Sequence, residues 1–183
     1  MSQPYDRVIL GDLVLPDGVM KGGYVAVRGE VIAAIGQGEP PPAVETEDQS
    51  GRLVFPGLVD GHMHTASSIG WPGIEGATLS AAAGGVTTCV DMPYDIPRPV
   101  TDAAILRDKV EWLHRLAHVD VALYGTIRKD ARGAGMAEAI AGLAEAGACS
   151  FKFSTYEYDP VRFPRIEPGL MKEAFAEIAR TNL

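Results

Sequence analysis

The chain has 183 residues, enough for one domain with a sizeable core or for a small domain joined to part of a larger one. A hydrophobic content of 46% beside 22% charged residues is that of a globular protein, and 21 glycines with 13 prolines mark tight connections rather than disorder. A formal charge of -8 argues against a nucleic-acid partner, which would need a clustered Lys/Arg surface.

No basic flank and apolar core open the chain, and no run reaches the roughly 18 apolar residues of a membrane span, so a cytoplasmic location without a membrane partner is expected. Cys89 and Cys149 lie far apart in apolar stretches and read as buried thiols rather than a disulfide.

Residues 5 to 36 read as short strands divided at Gly- and Asp-containing turns: "YDRVILGD", "LVLPDG", "GGYVAVRGE" and "VIAAIGQG". The stretch "EPPPAVETEDQSGR" then reads as a surface connection, which places a boundary near residue 50 and divides the chain into 1–50 and 51–183. Beyond it strands and helices alternate. "RLVFPGLVDGHMH" is followed by the Ala-rich helix "EGATLSAAAGG", closed by Gly84 and Gly85. "VTTCVDMP" precedes "TDAAILRDKVEWLHRLA", whose Leu106, Val110, Leu113 and Ala117 form one helical stripe. "HVDVALYGTI" precedes a helix with Met136, Ile140 and Leu143 in register. "ACSFKFST" precedes "PGLMKEAFAEIA", with Pro168 at the first helical position and Met171, Phe175 and Ile178 on one face.

Four strand-helix units with apolar strands predict a parallel sheet in an α/β protein, open or closed as a barrel. A complete (β/α)8 barrel takes about 250 residues, against roughly 130 after the β-rich start. A barrel reading therefore implies half a barrel.

His62 and His64 in "FPGLVDGHMHT" point to the same face of a strand, about 6 to 7 Å apart, so both imidazoles can reach one metal ion. The spacing is common by chance and also suits two polar residues at a strand end. Its position at the carboxyl end of a strand, where α/β folds place their sites, favours the metal. In "SFKFS", Lys152 lies opposite Phe151 and Phe153. It is either a lysine snorkelling to solvent or a desolvated amine able to react with carbon dioxide to form a carbamate ligand.

Asp91, ending "VTTCVD", is either a hydrogen-bond acceptor for a ligand histidine or a turn-initiating residue before Met92-Pro93, and Asp60 has the same standing. Trp71, Tyr94, Tyr156 and Tyr158 fall in segments that would be loops at the strand ends, where they either shape a pocket or pack the loops. His114 and His118 read as solvated or helix-end residues. "AAAGGV" lacks both the dinucleotide and the Walker pattern and is not a phosphate loop.

In their order and spacing, "FPGLVDGHMH", "AAAGGVTTCVDMP" and "AGACSFKFS" resemble the amidohydrolase superfamily, specifically the cyclic amidohydrolases: allantoinases, dihydroorotases and hydantoinases. The pattern P-G-x-x-D-x-H-x-H with a lysine 88 residues after the second histidine is far more specific than its parts. The resemblance implies the N-terminal half of a (β/α)8 TIM barrel preceded by a segment of a small β-sandwich. It also implies two divalent metal ions, usually zinc, with His62 and His64 on the more buried ion and carboxylated Lys152 as the bridge. Hydrolysis of a cyclic amide C–N bond by a metal-bridged hydroxide follows, with a small cyclic amide or ureide as substrate and a homo-oligomer, a tetramer, at full length.

Family members need two more histidines and a catalytic aspartate, all expected beyond Leu183, so the chain as given is expected to be truncated and inactive alone. Dihydroorotases carry an arginine where Ala66 stands, to pair with the substrate carboxylate, and an asparagine where Tyr94 stands; an alanine offers a carboxylate no charge, which argues against dihydroorotate as the substrate. Although "HTASSIGWPGIEG" departs from the usual allantoinase loop, allantoin is the first expectation, with a hydantoinase or dihydropyrimidinase substrate next. A non-catalytic assembly protein of the same fold and a small open-sheet binding domain are the other readings.

Overall fold

In the computed structural model, which describes residues 4–183, alternating apolar residues fold the start of the chain into a meander. Strands β1 (Tyr5–Leu15), β2 (Gly18–Arg28) and β3 (Val31–Gln37) pair antiparallel, and β4 (Ala43–Val54) pairs parallel to β1, giving the order β3-β2-β1-β4. Val8, Leu13 and Ala26 are buried.

Two expectations are corrected here. Gly11-Asp12, which reads as a turn, is a bulge inside one continuous strand, where the register with β2 shifts and Asp12 Oδ1 accepts the Gly22 N–H at 2.9 Å. The stretch after the prolines is a strand rather than a connection, because the open edge of β1 satisfies its backbone while its polar side chains face solvent. One of them, Glu45, pairs with Arg7 at 2.8 Å. The first compact unit accordingly runs to Pro56 and the second spans Gly57–Leu183.

The second unit repeats strand and helix: β5 (Leu58–Met63), α1 (Gly73–Ala83), β6 (Val86–Asp91), α2 (Ala103–Leu116), β7 (Asp120–Gly125), α3 (Gly133–Glu145), β8 (Ser150–Phe151) and α4 (Pro168–Ile178). The strands pair parallel in sequence order, an α/β sheet. Gly57, at the head of β5, runs so close to β6 that an added Cβ would lie 2.0 Å from Thr87 Oγ1. Gly85 ends α1 at φ 81°, the left-handed conformation a glycine cap supplies. Asp102 caps α2 by accepting the Ile105 N–H at 2.9 Å.

The helices bury the expected stripes against the sheet: Leu106 and Leu113 of α2, and Met136, Ile140 and Leu143 of α3. In α4 the buried residues are Leu170 and Ala174, with Met171 and Ile178 at their flanks. Phe175 lies outside that stripe, 54% exposed, with its ring against Phe153. Cys89 is buried as expected but Cys149 is exposed, because it precedes β8, an edge strand of the described sheet. No helix among the described residues is long and apolar enough to cross a membrane.

Candidate metal centre

The end of β5 is shaped by its own side chains. Asp60 Oδ1 accepts the His62 N–H at 3.0 Å where the pairing with β6 shifts register, so Asp60 fixes the backbone under His62. One step further, Thr65 donates its N–H to Asp91 Oδ1 at 2.9 Å, and its hydroxyl bonds Asp91 Oδ2. His64 is thereby bracketed by two anchored positions.

The imidazoles face each other, Nε2 to Nε2, at 3.3 Å. Two nitrogens each about 2.0–2.1 Å from one tetrahedral ion stand about 3.3 Å apart, so this spacing fits a shared ion. The tautomers also fit. Ser67 Oγ donates its single proton to the Tyr94 carbonyl at 3.0 Å and therefore accepts from His64 Nδ1–H at 2.9 Å, which leaves His64 Nε2 as a bare lone pair. Lys152 Nζ lies 2.9 Å from His62 Nε2, whose lone pair accepts from it. His62 Nε2, His64 Nε2 and Lys152 Nζ thus converge, a donor arrangement that suits a divalent ion. Burial, then the charges of Lys152 and His62, hold His64 below the usual imidazole value, which keeps it in the neutral, ligating form.

Lys152 follows β8 and donates its backbone N–H to Gly125 O at 2.9 Å, continuing the pairing with β7. In a flat sheet the first and fourth strands would be about 14 Å apart. The contact of Lys152 with His62 requires the parallel sheet to curl, as this one does. Burial pushes the Lys152 amine below its usual value. Tyr94 packs beside it, its ring 5.7 Å from Nζ and its hydroxyl 3.3 Å from the Lys152 carbonyl, and burial pushes the phenol up to about 12. Among the described residues no group of three or more His, Cys, Asp or Glu side chains is placed to hold a metal ion. The donor set this unit presents is two imidazoles and a lysine.

Asp91 is not bonded to a histidine ring. Fully buried, it pairs with Lys109 Nζ of α2 at 2.7 Å and grips Thr65. Lys109 also lies 2.7 Å from Asp95 Oδ2, and all three side chains are 0% exposed. Trp71 donates to Asp95 Oδ2 at 3.2 Å and packs on Trp112, away from the histidines. His114 and His118 are exposed, as read from the sequence.

An open pocket of about 440 Å³ joins His62, His64 and Lys152 to Tyr94, Tyr156 and Tyr158. Sequence reading missed four of its parts: Ser67, Ser68, Arg162 and Phe163. Arg162 Nη1 donates to Ser67 O at 2.7 Å, and the Phe163 ring meets Tyr94 edge-on at 3.9 Å. Both residues come from the loop after β8, whose approach to residues 64–68 is set by the curl of the sheet. A run of aromatics in "TYEYDPVRF" was the available signal.

The dihydro-orotase-like family model matches residues 51–174. An allantoinase from Rubrobacter xylanophilus is 35% identical over 179 residues, 94% of this chain and 38% of the relative. An allantoinase from Streptomyces avermitilis is 31% identical over 91% of this chain and 37% of its own length, and an L-hydantoinase from Paenarthrobacter aurescens 33% over 91% and 36%. The chain thus spans less than two fifths of the length of these curated relatives. Among solved structures, zinc-bound N-acyl-D-glutamate deacylase from Bordetella bronchiseptica aligns with a TM-score of 0.64 at 21% identity, over 97% of this chain and 43% of that one. Zinc-bound atrazine chlorohydrolase from Arthrobacter aurescens aligns at 0.67 and 14%, over 95% and 50%. These two carry the fold comparison. The sequence matches, joined to the H-x-H and lysine constellation, decide the family: the chain belongs to the dihydro-orotase-like cyclic amidohydrolases.

Proposed function

We propose that the chain is the N-terminal part of a metal-dependent hydrolase of cyclic amides. Its first unit is a segment of a small β-sandwich, and its second is the first half of a (β/α)8 barrel. The observation that carries this reading is the convergence of His62 Nε2, His64 Nε2 and Lys152 Nζ within 3.3 Å of one another along the chain of contacts. A protein of this fold serving only as an assembly scaffold has no use for all three.

His62 and His64 would hold one divalent ion, and carboxylated Lys152 would bridge it to a second, with zinc as the first candidate. When bound, such ions polarise an amide carbonyl and make a water nucleophilic near neutral pH. The chain's own residues prepare that chemistry. Ser67 holds His64 in the tautomer that presents Nε2. Asp60 and Asp91 fix the backbone on either side of the histidines. Tyr94, protonated throughout the physiological range, anchors the Lys152 carbonyl and walls the pocket. A cyclic ureide fits a pocket of this size and aromatic lining, allantoin being the first candidate and a hydantoin the second.

The test is metal content after loading with zinc in bicarbonate, read for the native chain, His64→Ala and Lys152→Ala. Loss of metal in both variants supports the site. Two ions retained by Lys152→Ala would sink the bridging lysine.

A further inference from the structure

Lys109 of α2 lies outside the pocket, yet its Nζ stands 2.7 Å from Asp91 Oδ2 and 2.7 Å from Asp95 Oδ2, and all three side chains are fully buried. A buried ion pair is a weak source of stability, because apolar residues of similar volume often serve as well; what it supplies here is position. Asp91 closes β6 and Asp95 stands four residues later, so one ammonium group draws both ends of the loop "DMPYD" against α2. That loop is laid along the segment that carries His64. Met92 donates its N–H to the Met63 carbonyl at 2.9 Å, and Ile96 donates to the Ala66 carbonyl at 3.1 Å. Between them Asp91 accepts the Thr65 N–H at 2.9 Å, and the Tyr94 carbonyl accepts the Ser67 hydroxyl at 3.0 Å. Every residue from Met63 to Ser67 except His64 is therefore bonded to residues 91–96. Because the Ser67 proton goes to Tyr94, Ser67 accepts from His64 Nδ1–H, so the loop sets the tautomer of His64 as well as its place. The Tyr94 hydroxyl, 3.3 Å from the Lys152 carbonyl, carries the same loop to the third candidate ligand.

We propose that Lys109 is a positioning residue for the metal centre: by clamping Asp91 and Asp95 it holds the loop 91–96 in the shape that presents His64 Nε2. It acts through the loop, without lining the pocket. The proposal rests on the metal-centre reading above and extends it to a side chain on a helix behind the sheet.

The experiment measures two properties of the 183-residue chain. One is the tautomer of neutral His64 in the metal-free chain, from long-range nitrogen–proton NMR; the other is Co(II) affinity in bicarbonate, from the visible absorption of the bound ion. The native chain is expected to hold the Nδ1–H tautomer. Lys109→Met is expected to divide His64 between tautomers and to weaken Co(II) binding about tenfold, the low end of what losing an orienting partner costs a metal site. If that variant fails to fold, the one that also carries Asp91→Asn and Asp95→Asn strands no charge and tests the same clamp. Leu170→Ala opens a cavity in the cluster between α3 and α4, and is expected to lose stability while keeping both properties. Native tautomer and affinity in the lysine variants, or equal losses in Leu170→Ala, overturn the proposal, as does a native His64 already divided between tautomers. A tautomer that depends on Lys109 in a native chain that binds no Co(II) upholds the positioning and refutes the metal reading.

Discussion

Lys109 Nζ stands 2.7 Å from Asp91 Oδ2, and both side chains are completely removed from solvent. Asp91 in turn bonds Thr65, the residue after His64, so a lysine on the helix stripe of α2 ties the helix to the end of β5. Removing one member of a buried pair strands the other charge. Lys109→Met is therefore expected to destabilise the fold by about 3–5 kcal/mol, read from urea unfolding, and a loss under about 1 kcal/mol would contradict this account.

Asp95 behaves differently. It shares Lys109 with Asp91, its Oδ1 has no hydrogen-bond partner among the described residues, and burial raises its carboxyl above the usual 3.8. A folded value above the unfolded one gives a contribution complete below the unfolded value and lost as pH rises through the folded one. Asp95→Asn is expected to be neutral or stabilising at pH 7 and to remove that decline. A variant as damaging as Lys109→Met would show that the second carboxylate is needed in its charged form.

His64 titrates the other way. Its folded value lies below 6.5, so the contribution of the neutral ring is complete above the unfolded value and lost as pH falls through the folded one. An NMR titration of the metal-free chain is expected to place the His64 midpoint under 6.5. In Lys152→Met the midpoint rises but stays depressed, because burial outweighs the lysine's charge. Full return to 6.5 would reverse that ranking.

Tyr94 is expected to stay protonated until about pH 12, so its contribution to stability is lost between pH 10 and 12. Absorbance at alkaline pH checks it: Tyr94→Phe should delete a phenol that ionises near pH 12.

The two glycines of "FPGLVDGHMH" are not equivalent. Gly57→Ala drives a Cβ to 2.0 Å from Thr87 Oγ1 and is expected to cost about 1–3 kcal/mol or more. At Gly61 an added Cβ meets nothing within 4 Å, and Gly61→Ala should change stability by less than about 0.5 kcal/mol. Comparing their urea midpoints tests the close approach of β5 to β6.

Local pattern was enough for much of the second unit. The stripe Met136, Ile140 and Leu143 is buried as its spacing requires, and α1 ends at the glycine whose φ is positive. The same kind of reading failed at Gly11-Asp12 and at β4, where turn-like or polar residues were drawn into a sheet by a neighbouring edge. It also passed over Lys109, which sits on an apolar stripe where a lysine reads as surface until two aspartates from another element are seen to face it.

By itself the sequence determined the strand-helix alternation, the shared face of His62 and His64 and the candidacy of Lys152, because these depend on residue periodicity and on spacing along the chain. Only the tertiary structure decided that Lys152 meets His62 at 2.9 Å, that Asp91 belongs to a buried lysine rather than to an imidazole, and that Arg162 lines the same pocket. Those contacts span 90, 18 and 95 residues, from Lys152 to His62, Lys109 to Asp91 and Arg162 to Ser67. They are set by the curl of a parallel sheet and the packing of its helices, which no local pattern encodes.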